Sequence, residues 1–312
     1  MRRTGVAGHS RLHRSHSGGG PCPRRAQAAS EVDESLHRNA TDCNQGIRME
    51  PLPTRIDEPV AVIGDVHGQT DKLWRVLERL QSLPDFAQRW VVFIGDFVDR
   101  GPDPRGAVET AIRVRQAHPR TTAIMGNHEL AMLGALRLID VPEYSNWDER
   151  WLDHYDAEPT FGSYGVPFGD LPALRDALPP AHVEFLTGLP WAVEHPQYLF
   201  VHAGLEPHTP FGMQLQILRT RDFTLNRPHW LCSKSVHDEP PPDCPVTVVS
   251  GHVYVPEVTF GDRRILIDTT GGVGGELSCV LLPEQVVLTS SGNVVPATQP
   301  AKPRKRSWWK LW

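Results

Sequence analysis

Five short apolar runs in this chain each stop at a metal-type ligand with glycine beside it, and this limits what the chain can fold into. The clearest is Trp90-Val91-Val92-Phe93-Ile94, which runs straight into Gly95-Asp96-Phe97-Val98-Asp99-Arg100-Gly101. Four to eight apolar, β-branched-rich residues that stop at a glycine read as a buried strand. This strand would present two carboxylates and an arginine at its carboxyl end, the place where open α/β sheets bind ligands. Charges placed there must be paired or must hold a metal. The design recurs four times. Val60–Ile63 leads into Gly64-Asp65-Val66-His67-Gly68, and Thr122–Met125 into Gly126-Asn127-His128-Glu129. Tyr198–Val201 leads into His202-Ala203-Gly204, and Val246–Ser250 into Gly251-His252. Glycine allows the sharp turn and the close backbone approach that such a site needs.

Between these strands the periodicity changes to that of helices. Leu73, Val76, Leu77 and Leu80 fall at i, i+3, i+4, i+7 after Thr70. Further helices are expected over roughly Pro104–Ala117, where Pro104 suits a helix start, and over Leu130–Ile139, His182–Leu189 and Met213–Leu218. The later part adds strand-like runs at Arg264–Ile267, Ser278–Leu282 and Val286–Thr289. An α/β first half followed by a β-rich second half implies an α/β fold of two packed sheets with helices outside. Residues 140–180, rich in Asp, Glu, Pro, Trp and Tyr, read as an inserted loop or small helical cap, a common place for substrate selection.

Charge divides the chain into parts. Residues 1–48 carry eight Arg against four acids, and residues 302–312 carry five Lys/Arg and no acid. The stretch 49–301 holds 19 basic and 33 acidic residues, a charge of about −14. So acidic a core is a poor nucleic-acid binder, and a cluster of acids that gathers cations accounts for part of the excess. Residues 1–50 are expected to be a disordered basic extension, with Met49 as an alternative start. Residues 51–290 are expected to form the catalytic domain, and 291–312 a flexible basic tail rich in Trp. With no apolar run of membrane-spanning length, no stable membrane insertion is expected. Five cysteines without a CxxC pair point to a reducing compartment, hence a cytoplasmic protein, expected as a monomer.

Asp, His and Asn donors at converging strand ends suit two divalent ions. In a two-metal hydrolytic site the ions sit ~3.5–4 Å apart and clamp the attacking and leaving oxygens of an in-line displacement. A shared carboxylate bridges them, and the nucleophile is a hydroxide between them, available because coordination brings the pKa of bound water to roughly 7.

These residues together resemble the phosphoprotein phosphatase family of calcineurin-like metallophosphoesterases. Gly64-Asp65-x-His67-Gly68, Gly95-Asp96-x-Val98-Asp99-Arg100-Gly101 and Gly126-Asn127-His128-Glu129 are similar to its three signature motifs, and His202 and His252 to its two later histidines. The resemblance covers roughly residues 58–290. It implies a four-layer fold, a central β-sandwich of two mixed sheets flanked by helices. It implies that Asp65, His67 and Asp96 hold one metal, that Asp96 bridges, and that Asn127, His202 and His252 complete the second site. It makes His128 the acid that protonates the leaving oxygen, Asp99 the carboxylate that orients it, and Arg100 a phosphate-binding arginine. The family's second such arginine resembles Arg221, with Arg219 its close rival. The implied cofactors are two divalent ions, Mn²⁺ first, with iron or zinc as alternatives.

Departures from the pattern point to a bacterial-type member. Ala203-Gly204 stands where eukaryotic protein phosphatases usually have Gly-Gly, and Ile267-Asp268-Thr269-Thr270-Gly271-Gly272 and Thr160-Phe161-Gly162-Ser163-Tyr164-Gly165 resemble bacterial sequences. The implied activity is hydrolysis of phosphoserine or phosphothreonine in proteins or peptides. A related reading is a symmetric dinucleoside tetraphosphate hydrolase, in which another residue typically occupies the position of Asp99. A reading of another class is an inactive scaffold that binds phosphoproteins. Outside the motifs, Glu129 is expected to support the site rather than ligate. His182, His195 and His229 are expected to be surface or satisfied histidines, and Cys232 and Cys244 ordinary thiols.

Overall fold

A computed structural model describes residues 50–237, 239–292 and 294–296. The expectations for residues 1–49 and for 297–312 fall outside these. In chain order the elements begin β1 Val60–Ile63, α1 Thr70–Gln81, β2 Trp90–Phe93, α2 Pro104–Ala117, β3 Thr121–Ala123 and α3 Asn127–Ala135. Then come α4 Trp147–His154, α5 Glu158–Ser163, α6 Leu171–Ala177, α7 Pro180–Gly188, β4 Ala192–Glu194 and β5 Tyr198–Val201. The last part holds α8 Phe211–Thr220, α9 His229–Cys232, β6 Thr247–Ser250, β7 Thr259–Phe260, β8 Arg264–Leu266, β9 Ser278–Leu282, β10 Val286–Thr289 and β11 Val294–Pro296.

The strands form two mixed sheets, ordered β11-β10-β9-β1-β2-β3 and β4-β5-β6-β8-β7. β1, β2 and β3 run parallel, as do β5, β6 and β8, while β4, β7, β9, β10 and β11 pair antiparallel. Alternation along the strands assembles the layers. Val60 and Val62 of β1, Val92 and Ile94, and Val280 and Leu282 of β9 meet Val193, Phe200, Val249 and Ile265 of the other sheet in one apolar cluster. Their neighbours Ala61, Ile63, Val91 and Phe93 join the opposite cluster with Leu73, Val76, Leu77 and Leu80 of α1 and Ala107, Val108 and Ala111 of α2. Period two in the strands and period 3.6 in the helices thus place two sheets face to face with helices outside. This is the four-layer α/β architecture expected from the sequence.

The parallel strands end on the same side, so the turns after β1, β2, β5 and β6 and the start of α3 converge. Short elements differ from expectation. α3 begins at Asn127 rather than Leu130, because Glu129 reaches back to accept the Gly126 N–H and closes its first turn. β4 and β7 are two or three residues long, too short to register as apolar runs. β11 extends the first sheet past residue 290, where the tail was expected to begin. Residues 140–180 hold three short helices, α4 to α6. Among the described residues, no helix is long and apolar enough to cross a membrane.

Candidate active site

Asp65, His67, Asp96, Asp99, Asn127, His128, His202 and His252 come from five separate segments, yet they form one buried or nearly buried cluster. Four of them occupy the left-handed region: His67 at φ 43°, Asp96 at 52°, Asp99 at 70° and His252 at 65°. Non-glycine residues with positive φ are uncommon, and strain of this kind gathers at functional sites. Two glycines are required by close approach. A Cβ on Gly126 would lie 2.0 Å from Asp96 Oδ1, and one on Gly251 would lie 1.8 Å from Asp65 Oδ1.

Asp96 is at the centre. Its Oδ2 lies 3.4 Å from His67 Nε2, 3.2 Å from His202 Nε2 and 4.0 Å from His128 Nε2. Its Oδ1 accepts the His128 N–H at 3.1 Å. Two groups of donor atoms can each hold a metal, His67, Asp96 and His128 in one and Asp96, His202 and His252 in the other. Asp96 belongs to both, as expected of a shared carboxylate, and His128 stands in the first group where the resemblance implies Asp65. Burial alone would raise its pKa, but His202, His128 and His67 around it hold it well below the usual carboxylate range.

The remaining donors are arranged to suit cations. His67 Nδ1 donates to the Val98 carbonyl at 2.9 Å and His202 Nδ1 to the Ile94 carbonyl at 2.8 Å, so each ring turns Nε2 into the cluster. Such outer bonds fix the tautomer of a metal-ligating histidine. Asn127 Oδ1 lies 3.0 Å from His202 Nε2 and 2.8 Å from His252 Nδ1. Asp65 Oδ1 and His252 Nε2 are buried without a hydrogen-bond partner. Burial and the neighbouring Asp268 charge push the Asp65 carboxyl well above its ordinary range. Buried, unpaired oxygen and nitrogen atoms beside a crowded carboxylate are costly alone and fit a divalent cation. His202 is affected in the opposite sense. Burial opposes its charge, but Asp96 and Asp65 raise it to about 10, so a proton binds tightly where metal and proton would compete.

His128 and Asp99 pair beside this cluster, with Nδ1 to Oδ2 at 2.7 Å. Both are buried, and burial disfavours charge on each, pushing Asp99 up to about 7 and His128 down to about 3. A phosphate dianion beside the imidazole would favour its protonation. Arg100 follows directly, at φ 64°. Its Nη1 donates to His67 Nε2 at 3.2 Å and to the Gly271 carbonyl at 3.4 Å, which seats it at the edge of the cluster.

The structure does not bring Arg221 to the cluster. Arg221 follows the last residue of α8 at φ 52°, and its Nη1 donates to the Thr187 and Leu189 carbonyls at the end of α7. Carbonyls at a helix C-terminus lack intrahelical partners, and a guanidinium satisfies them there. Its rival Arg219 forms a two-pronged pair with Glu194, at 2.7 and 2.6 Å. His182 is a satisfied core histidine, between the Tyr164 hydroxyl and Glu109. His229 is an exposed residue paired with Glu206. Cys232 and Cys244 are buried free thiols.

Glu129 supports the site. Its Oε2 accepts from the Asp96 and Gly126 N–H groups at 2.8 and 3.0 Å, and its Oε1 from Phe97 and Val98 at 2.7 and 3.2 Å. One carboxylate thus ties α3 to the turn that carries Asp96. Glu129→Gln would turn an NH₂ group towards two of these N–H donors. Each buried group left unpaired costs about 1–3 kcal/mol, so the expected loss is about 2–5 kcal/mol, with a Tm fall of about 2–4 °C per kcal/mol. Calorimetry checks this, and a wild-type melting temperature would contradict it.

Sequence reasoning misses two more contacts. Trp151 Nε1 donates to Asp99 Oδ2 at 2.9 Å, and Thr160 Oγ1 donates to Asp99 Oδ1 at 2.6 Å. Thr160 has a signal, since it opens the segment that resembles bacterial sequences, whereas Trp151 has only its place in an aromatic-rich insert.

A family model described as calcineurin-like phosphoesterase matches residues 58–275. A symmetrical bis(5'-nucleosyl)-tetraphosphatase of Janthinobacterium is 27% identical over 169 residues, 54% of this chain and 52% of that protein. A serine/threonine-protein phosphatase 4 catalytic subunit of Eremothecium gossypii is 31% identical over 98 residues, 31% of each chain. The chain therefore spans about half the length, or less, of these curated relatives. Among solved structures, the cold-active protein-tyrosine phosphatase of a Shewanella species superposes with a TM-score of 0.55 at 15% identity, covering 80% of this chain and 83% of that one. That likeness concerns the fold.

Proposed function

Because the chain belongs to the calcineurin-like phosphoesterase family, whose members use divalent metal ions, we propose that it is a phosphomonoesterase that hydrolyses phosphoserine or phosphothreonine in proteins. The observation that carries this is the buried His128–Asp99 pair at 2.7 Å. A serine or threonine alkoxide is a poor leaving group and needs a proton as it departs. A histidine whose Nδ1–H is held by a carboxylate keeps Nε2 for that proton.

Asp65, His67 and Asp96 would hold one ion, and Asp96, Asn127, His202 and His252 the other. Ions there would supply Lewis acidity and an activated water. The protein's own residues do the rest. Arg100 offers a planar fork to the phosphate oxygens. Asp96 holds the two halves of the site together through its shared carboxylate. His128 delivers a proton to the leaving oxygen, and Asp99 fixes which nitrogen carries it. The metal identity we favour is Mn²⁺, with iron or zinc as alternatives.

A second reading rests on the relatives. Symmetrical bis(5'-nucleosyl)-tetraphosphatases from Janthinobacterium and Vibrio cholerae match more of this chain in sequence than the protein phosphatase 4 catalytic subunit does. A nucleoside diphosphate leaves readily without a proton, so that substrate makes less use of the His128–Asp99 pair. Assays of phosphoserine and phosphothreonine peptides beside dinucleoside tetraphosphate, each with Mn²⁺, separate the two. The expected result is a higher kcat/KM on the peptides. A higher value on the dinucleotide would replace the first reading by the second.

A further inference from the structure

Helices α4 and α5 lie in the insert expected to select substrate, but one buried residue of each bonds to the proposed catalytic pair. Trp151, wholly buried in α4, donates its indole N–H to Asp99 Oδ2, the oxygen that also receives His128 Nδ1–H. Thr160, wholly buried in α5, makes a two-way contact. Its hydroxyl donates to Asp99 Oδ1 at 2.6 Å and accepts the Asp99 backbone N–H at 2.9 Å. Between the two helices, the Tyr155 ring stands edge-on to the His128 imidazole at 4.8 Å, and the Asp156 carbonyl accepts the Arg100 N–H at 3.0 Å. Trp151 is in turn stacked on Phe161 at 5.3 Å. The contacts of one insert therefore converge on Asp99, Arg100 and His128.

We infer that Trp151 and Thr160 are positioning residues for proton delivery, and that through them the 147–163 segment sets the geometry of the catalytic pair. The chemistry is specific. A carboxylate on its own can rotate about its Cβ–Cγ bond and offer either oxygen. Here a neutral donor is assigned to each oxygen, and the backbone N–H closes the third contact, so one orientation survives. That orientation points Oδ2 at Nδ1 and thereby keeps the proton-transferring Nε2 free. Neutral donors hold the carboxylate without neutralising it, whereas a lysine or arginine in the same place would weaken its hold on the imidazole. Tyr155 closes the other flank, so the ring cannot tilt away from Asp99.

This inference rests on the phosphomonoesterase reading for its kinetics but not for its geometry, and two measurements keep them apart. The first needs no substrate. The proton between His128 Nδ1 and Asp99 Oδ2 should give a downfield NMR resonance in the wild-type protein, assigned by its loss in Asp99→Asn. Trp151→Phe and Thr160→Val should each shift or broaden it, and Thr160→Ser, which keeps the hydroxyl, should restore it. An unmoved resonance in both Trp151→Phe and Thr160→Val would overturn the inference, whatever the enzyme's substrate. The second is kinetic. Losing one neutral hydrogen bond to the carboxylate should lower kcat on a phosphoserine peptide roughly tenfold with KM unchanged. The loss should be smaller on nitrophenyl phosphate, whose leaving group needs less protonation. In the Asp99→Asn background Trp151→Phe should add little, because the group it orients is gone. Equal losses on both substrates, or losses that add fully to Asp99→Asn, would mean that Trp151 and Thr160 act only through stability. Absence of peptide turnover by the wild-type enzyme would refute the functional reading and leave the NMR result to decide the positioning role.

Discussion

His128→Asn lowers kcat on a phosphoserine peptide by ~10²–10⁴-fold, the usual range for a general acid, and leaves the metal content unchanged. The structure shows why the two effects should separate. The hydrogen bond between His128 and the Asp96 carboxylate is made by the His128 backbone N–H to Oδ1, and asparagine keeps that bond, while the His128 ring lies 4.0 Å from Oδ2. What disappears is the imidazole between Asp99 and the leaving oxygen. Asp99 Oδ2 then retains only the Trp151 indole as a donor. The deficit should shrink on nitrophenyl phosphate, because nitrophenolate departs without a proton. Paired kinetics on the two substrates check this, and equal losses on both would make His128 a structural residue.

Asp96→Asn is expected to have the larger effect, removing activity and metal together. Asparagine is among the few residues that tolerate the left-handed backbone found here at φ 52°. The Asp96 carbonyl also keeps its bonds from the Val66 and His67 N–H groups, at 3.1 and 2.7 Å. The variant should therefore fold, and its defect should be chemical. An amide carries no charge, and one that keeps its oxygen at the shared Oδ2 position turns its NH₂ group towards the His128 N–H, so it should hold that position poorly. Several kcal/mol of transition-state stabilisation depends on the ions, and roughly 10³-fold or more in rate should be lost with them.

Much of this site is legible in the amino-acid sequence, and the reason is local. A strand, a glycine and a ligand close together in the chain fix where Asp65, His67, Asp96, Asp99 and Arg100 must sit relative to one sheet edge. The parallel order of the strands then brings those edges together. Residues whose roles depend on long-range packing are not legible in this way. The family resemblance implies that Arg221, with Arg219 as its rival, binds the substrate phosphate. Its guanidinium is instead captured by two carbonyls at the end of α7, a helix more than thirty residues earlier in the chain. Trp151 and Thr160 reach Asp99 across 52 and 61 residues of sequence, and no local pattern announces such contacts. The apolar pattern starts α3 too late because Asn127 and His128 serve two purposes. They belong to the buried cluster and also form the first turn of a helix, with Glu129 as the cap.

The claim on which the rest depends is that two divalent ions share one carboxylate. Elemental analysis of the purified wild-type protein and of Asp96→Asn, side by side and each with its activity, tests this directly. The account predicts about two divalent ions per chain in the wild type. In the variant it predicts fewer than one, with activity lost in parallel, and it predicts inactive wild-type protein after chelation. Full activity in metal-stripped protein, or an Asp96→Asn protein that retains both ions, would contradict it.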